Sequence, residues 1–437
     1  MAKLTQADLT KLAQSYQQEP QHAVIARAIQ NNGINRTARD PQAKIRLQPT
    51  FSVEVKTGKV ANQKQSGRCW MFSILNVLKQ HVAKKIGVKD FQLSQNYLFF
   101  WDKIERANIF YDHMIDLADK PTKDRTVEFY LSMPGDDGGQ WAMAVALIQK
   151  YGVVPQSVFP DNIVTNRTQD FDSVMNLKLR RDGMRLRHLV QKKASDATIA
   201  KTRAQMLSEV YRITAYSFGI PPQKFDFEYR DDKKKYHRDA GLTPQAFYQK
   251  YVGVDLDQYV MATNSPDKKM GEKYSLPSQN NVVGGKQIEF LNMPMKDLKS
   301  AVIKQLKAGE PVWFGNDVLQ QMDRKSGSLD SHLYRRDELF NVDLSMTKAE
   351  RLAYHEGCVS HAMTLTGVDL VHGKPTKWKV QNSWGSKNGH KGYFVMTDDW
   401  MNQFVYEAAV KLSYLPKSDQ AINQKQAIAL KPWDSLQ

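Results

Sequence analysis

The chain has 437 residues, with 62 Lys and Arg against 46 Asp and Glu, a formal charge of +16. Hydrophobic residues make up 41% and aromatics 10%, enough for a sizeable core, so wholesale disorder is excluded. Two cysteines exclude a disulfide framework and a Cys₄ zinc site. The opening MAKLTQADLTKLAQSYQQEP is polar, and no stretch approaches the roughly 18 apolar residues of a membrane span, so the chain reads as cytoplasmic with no membrane partner. In chain order, residues 1–60 read as an amphipathic helix followed by an irregular arm. Thr5 and Asp8 open that helix, and Asn31-Asn32-Gly33 closes a second one. A strong helix is predicted from Cys69, with Met71, Ile74, Leu75, Leu78 and Val82 on one buried stripe and Gly87 at its end. Another runs through Trp141–Ile148, opened by Asp136-Asp137-Gly138-Gly139 and closed by Gly152.

Residues from about 171 to 250 are charged and helical in period. Between Arg167 and Lys250 there are 18 Lys and Arg against 10 Asp and Glu, half of the net excess, densest at Lys233-Lys234-Lys235-Tyr236-His237-Arg238. No nucleic-acid motif accompanies this run, so a solvated helical face or loop is favoured over a nucleic-acid partner. After about Val282 the texture turns strand-like, at 311–314, 363–368, 378–382, 392–397 and 408–412. The expected fold class is α+β: helices first, a charged helical middle, then an antiparallel sheet. The expected units are an N-terminal arm (1–60), a helical half with the nucleophile (61–165), a charged helical insertion (166–280), a β-rich half with His and Asn (281–415) and a C-terminal tail (416–437).

The chemistry concentrates around Cys69. A cysteine in the first turn of a helix faces unpaired backbone N–H groups and the positive end of the helix dipole, both of which stabilise a nucleophilic thiolate. Such a thiolate needs an imidazole and an orienter for it; His361 and Asn382 stand at opposite ends of two strand-like runs, with Trp384 available to screen their hydrogen bond from water. Cys358 reads as a buried bystander. The spacing His355-x-x-Cys358-x-x-His361 is ligand-like but lacks a fourth ligand, so no metal is expected.

Asn62-Gln63, Ser66-Gly67-x-Cys69-Trp70-x-Phe72-Ser73, Asp137-Gly138-Gly139-Gln140-Trp141, His361-Ala362-Met363-Thr364-Leu365 and Asn382-Ser383-Trp384-Gly385 occur in that order. Together they resemble the papain-like cysteine peptidases, specifically the bleomycin hydrolase/aminopeptidase C family. The resemblance implies a papain-like fold with a large helical insertion, peptide substrates, no cofactor beyond a reduced thiol, and a homohexamer around a central channel. It implies Cys69 as nucleophile, His361 as acid/base, Asn382 as its orienter and Gln63 as oxyanion-hole donor. Gly138 and Gly139 would admit the substrate backbone, and Trp384 and Gln437 would complete the substrate site. The 292 residues from Cys69 to His361 exceed the roughly 130–150 of simple papain-like enzymes by about the length of the charged middle. In that family a tail with Ala-Trp-Asp and about six further residues ends in the cleft. Here Trp433-Asp434 is followed by only three, a shortfall of about 10 Å at ~3.3 Å per residue. The expectation is therefore a cleft open enough to lean towards endopeptidase or oligopeptidase action, with a strict aminopeptidase as the alternative.

Overall fold

The computed structural model describes residues 2–437. The arm forms helices Gln6–Gln17 and Pro20–Asn32, the first capped reciprocally by Thr5 and Asp8 and the second closed at Gly33, whose φ of 78° suits glycine. The arm returns to the body through β1 (Val53–Glu54). Helix Cys69–Ile86 ends at Gly87 in the left-handed region, φ 64°. Its expected stripe is buried, but so are Trp70, Phe72, Ser73 and Val77, because the helix lies between a sheet and helix Gln95–Asp116. A helix buried all round is a core helix, and each of its large apolar side chains contributes about 1.5–3 kcal/mol. Helix Trp141–Tyr151 closes at Gly152 and packs on the same centre.

The charged middle is helical only at first, in Gln169–Gln191 and Asp196–Phe218. A hairpin follows, β2 (Phe225–Arg230) and β3 (Tyr236–Leu242), and its turn carries the lysine run. Here the helical expectation fails. Phe225, Phe227 and Tyr229 alternate with charged residues at the strand period and face inward, Phe227 against Phe247 and Tyr251. Arg238 is paired with Asp226 at 2.6 Å, and the His237 ring lies 3.0 Å from the Asp231 carboxylate.

The main sheet begins before residue 280. Strand β4 (Tyr259–Thr263) belongs to the main sheet, as do β5 (Lys273–Ser275) and β6 (Glu289–Asn292). The remaining strands are β7 (Val312–Asn316), β8 (Met322–Asp323), β9 (Ser328–Leu329), β10 (His361–Val371), β11 (Lys374–Gln381), β12 (Tyr393–Thr397), β13 (Val405–Lys411) and β14 (Ile428–Ala429). Their order is β14-β5-β6-β4-β13-β7-β10-β11-β12-β9-β8, with β1 against β10. Most pairs are antiparallel as expected, but β4 with β6, β9 with β12 and β5 with β14 run parallel, so the sheet is mixed. The architecture is α+β.

The helical and sheet halves each have an apolar core and meet where Cys69–Ile86 lies against β10. Ser73 donates to the Met363 carbonyl at 2.6 Å, and the Trp313 indole donates to the Trp70 carbonyl at 3.2 Å. These buried bonds fix the first turns of the helix against the start of β10, where His361 stands.

Candidate active site

Cys69 is the first residue of its helix, and Arg68 in front of it is wholly buried. The Arg68 guanidinium bonds Asp161 at 2.6 Å and Ser66 at 3.0 Å and lies over the Phe72 and Phe99 rings. The preceding turn is held by Asp137, whose residue type and place in the chain show no sign of this role. Its carboxylate accepts from the Gly67 N–H at 3.0 Å, Thr168 at 2.6 Å and Lys103 at 2.7 Å, while its carbonyl accepts from the Trp70 indole at 2.8 Å. Burial pushes Asp137 up, but Lys103, Thr168 and Gly67 outweigh it and hold the carboxyl well below the ordinary range. Asp172 shares the same ammonium; burial first, and Asp137 beside it, push it up to about 6 despite Lys103. Asp137 is thus the ion of the pair.

β10 begins at His361, whose carbonyl accepts from Asn316 at 3.1 Å. Its Nε2 lies 2.9 Å from Asn382 Oδ1, an oxygen that also accepts the Ser383 N–H at 2.7 Å. An amide oxygen only accepts, so Nε2 carries the proton and Nδ1 is left free. Trp384 stacks on the imidazole with centroids 4.9 Å apart, and Arg324 lies over that indole at 4.5 Å. Burial pushes the His361 imidazolium down to about 4, against the Asn382 bond, with Arg324 adding to the fall. Burial also pushes the Cys69 thiol up, opposed by the backbone N–H groups of Ala362, Trp70 and Cys69. Each ion alone is costly here. A proton passed from a buried thiol to an adjacent imidazole would create two opposite charges together, which offset one another. The bond from Ala362, next to His361, brings the sulfur to the head of β10.

Gln63 is buried, with Nε2 donating to the Ser66 carbonyl at 2.6 Å and Oε1 accepting from Ser383. Its backbone N–H donates to the Ser383 carbonyl at 2.8 Å, so the Gln63 and Asn382 loops are tied together. The second Nε2 hydrogen remains for an oxyanion.

Cys69, His361, Gly138, Gly139 and Gln437 line one cavity of about 560 Å³. A side chain on Gly139 would put its Cβ 2.5 Å from the Trp70 ring, whereas Gly138 meets only the Asp136 carboxylate at 3.5 Å. The former is required for packing and the latter is open to the cavity. Cys358 is exposed, contrary to expectation, because it precedes β10 on a surface loop. His355 is exposed beside it while His361 is held by Asn382, so the ligand-like spacing does not converge.

The tail does not stop short. β14 pairs with β5, Asp434 bonds Lys268 at 2.8 Å, and Trp433 lies under Arg125. Leu436 is buried, and its carbonyl accepts from Gln140 at 3.0 Å, so Gln437 enters the cavity. Reach depends on where a tail is anchored as well as on its residue count, and this anchor lies close to the cleft. Glu407 also lines the cavity and was missed; an isolated Glu in an apolar strand carries no motif.

Residues 3–437 match the model of the peptidase C1-like family. The chain is 49% identical to aminopeptidase G of Lactobacillus delbrueckii subsp. lactis, over 99% of both chains. It is also 49% identical to aminopeptidase E of Lactobacillus helveticus, again over 99% of both. The crystal structure of PepW from Lactobacillus rhamnosis HN001 superposes with a TM-score of 0.98 at 50% identity, covering 100% of this chain and 99% of that one.

Proposed function

The chain belongs to the peptidase C1-like family and is a papain-like cysteine peptidase, and from that premise we propose that it acts as an aminopeptidase on short peptides. The observation carrying this reading is the position of Gln437 in the cavity with Cys69 and His361. The tail brings Gln437 into that cavity, and its oxygens are acceptors for a free amine. The aminopeptidase names of the relatives support the same reading over the endopeptidase preference drawn from tail length.

In this mechanism His361 Nδ1 takes the Cys69 proton and the thiolate attacks the peptide carbonyl. The oxyanion is received by Gln63 Nε2 and the Cys69 N–H. The tetrahedral adduct collapses to a thioester as the imidazolium gives its proton to the leaving amine. Water, deprotonated by His361, then releases the acid and restores the thiol. Asn382 holds the ring by Nε2 throughout, and Trp384 shields that bond.

The test compares a free-amine peptide with its N-acetylated form, before and after iodoacetamide and in Cys69→Ala. Hydrolysis confined to the free amine and lost on alkylation is expected. Equal cleavage of the blocked peptide overturns the aminopeptidase reading, and activity surviving Cys69→Ala overturns the thiol mechanism. Helix Gln6–Gln17 buries none of its residues in this chain and exposes Leu9 and Leu12, which supports assembly into a homo-oligomer.

A further inference from the structure

β13 crosses the middle of the sheet, and Glu407 stands on it opposite Gly315 of β7 and Thr263 of β4. The β7 pairing slips between Val405 and Glu407, a bulge of the kind that re-aims a side chain beside a site. Gly315 makes the room: a Cβ there would run into the Glu407 Oε1 and lie 2.7 Å from its Cγ. Glu407 is only 1% exposed, and among the described residues neither carboxylate oxygen has a hydrogen-bond donor. Burial alone pushes its carboxyl up to about 8.

Two other buried carboxylates look different. Asp137 and Asp102 are as buried, and both are paired with cations. The cavity's own arginine, Arg106, is held by Asp102 and the Gly138 carbonyl and is not free to serve Glu407. Met143, Trp313 and Ala362 supply apolar wall in the same cavity. Apolar walls ending in an unpaired carboxyl group match a side chain with a hydrocarbon stem and a cationic head, which can draw off its proton.

We propose that Glu407 is a specificity-determining residue that takes the ammonium or guanidinium of a lysine or arginine side chain on the acyl side of the scissile bond. The proposal rests on the reading of this cavity as the peptide site. The arriving cation supplies a counter-charge, on which the buried carboxyl releases its proton to solvent and pairs as the carboxylate, whereas a neutral side chain of equal length leaves it protonated and unpaired.

The test measures kcat/KM for free-amine peptides differing only by lysine against norleucine, or arginine against citrulline. Each pair is placed at the first or second residue before the cleaved bond, with wild type and Glu407→Gln as full-length proteins. The wild type is expected to favour the cationic member by about tenfold or more at one of the two positions, with the ratio falling to near one in the variant. No cationic preference at either position, or a preference that survives Glu407→Gln, overturns the proposal. Should Glu407→Gln fail to fold, Glu407→Met is read in its place, with a ratio near one expected and a surviving cationic preference overturning the proposal. Loss of norleucine-peptide cleavage in Cys69→Ala tests the peptidase reading separately.

Discussion

Glu407 makes a prediction about folding that is independent of substrate. Its ordinary carboxyl value is 4.5, and burial raises it to about 8 in the folded chain. Between those values the folded state holds a proton that the unfolded state has released, so stability is greatest below 4.5 and falls as the pH rises through 8. At about 1.4 kcal/mol for each tenfold, the gap caps the effect at about 5 kcal/mol. Glu407→Gln keeps the shape and removes the proton equilibrium. Urea unfolding of both proteins from pH 4.5 to 8.5 isolates this group, because the other titrations cancel in the difference. The variant is expected to gain steadily on the wild type with rising pH, by several kcal/mol at the alkaline end. A difference that stays flat across the range refutes the argument that the carboxyl is buried without a partner.

Gln63→Ala should lower kcat by about 10²–10³ with little change in KM, measured by initial rates, since an oxyanion donor acts in the transition state. Lys103→Met should cost about 3–5 kcal/mol in urea unfolding at pH 7, because Asp137 and Asp172 lose their shared cation. That loss should shrink as the pH falls and the abandoned carboxylates take up protons.

What the sequence made legible was local. The apolar spacing from Met71 to Val82, the glycine at 87 and the short strand-like runs after 310 are written in consecutive residues, and each became the expected element. The hairpin at 225–242 was hidden by its charge, although Phe225, Phe227 and Tyr229 carry the strand period. β4 is a five-residue run in a segment otherwise unlike the sheet, and its partner β13 lies more than a hundred residues away, so only tertiary pairing gives it a place. In the site, order and residue type pointed to Cys69, His361, Asn382 and Gln63. Glu407 became visible only when three strands brought a bulge, a glycine and an apolar cavity to one point. The reach of Gln437 likewise depends on the β14 anchor, which a count of residues after Asp434 does not contain.

The clasp between Gln63 and Ser383 joins segments 320 positions apart, and Ser383 is covalently the neighbour of Asn382. Prising the two segments apart would therefore displace the Gln63 amide and the Asn382 oxygen that holds His361 in a single event. Ageing or mild heating of a sample should accordingly divide its molecules into competent and dead rather than slow them all a little. Counting living enzymes with a stoichiometric thiol-directed inhibitor should then track residual turnover in strict proportion.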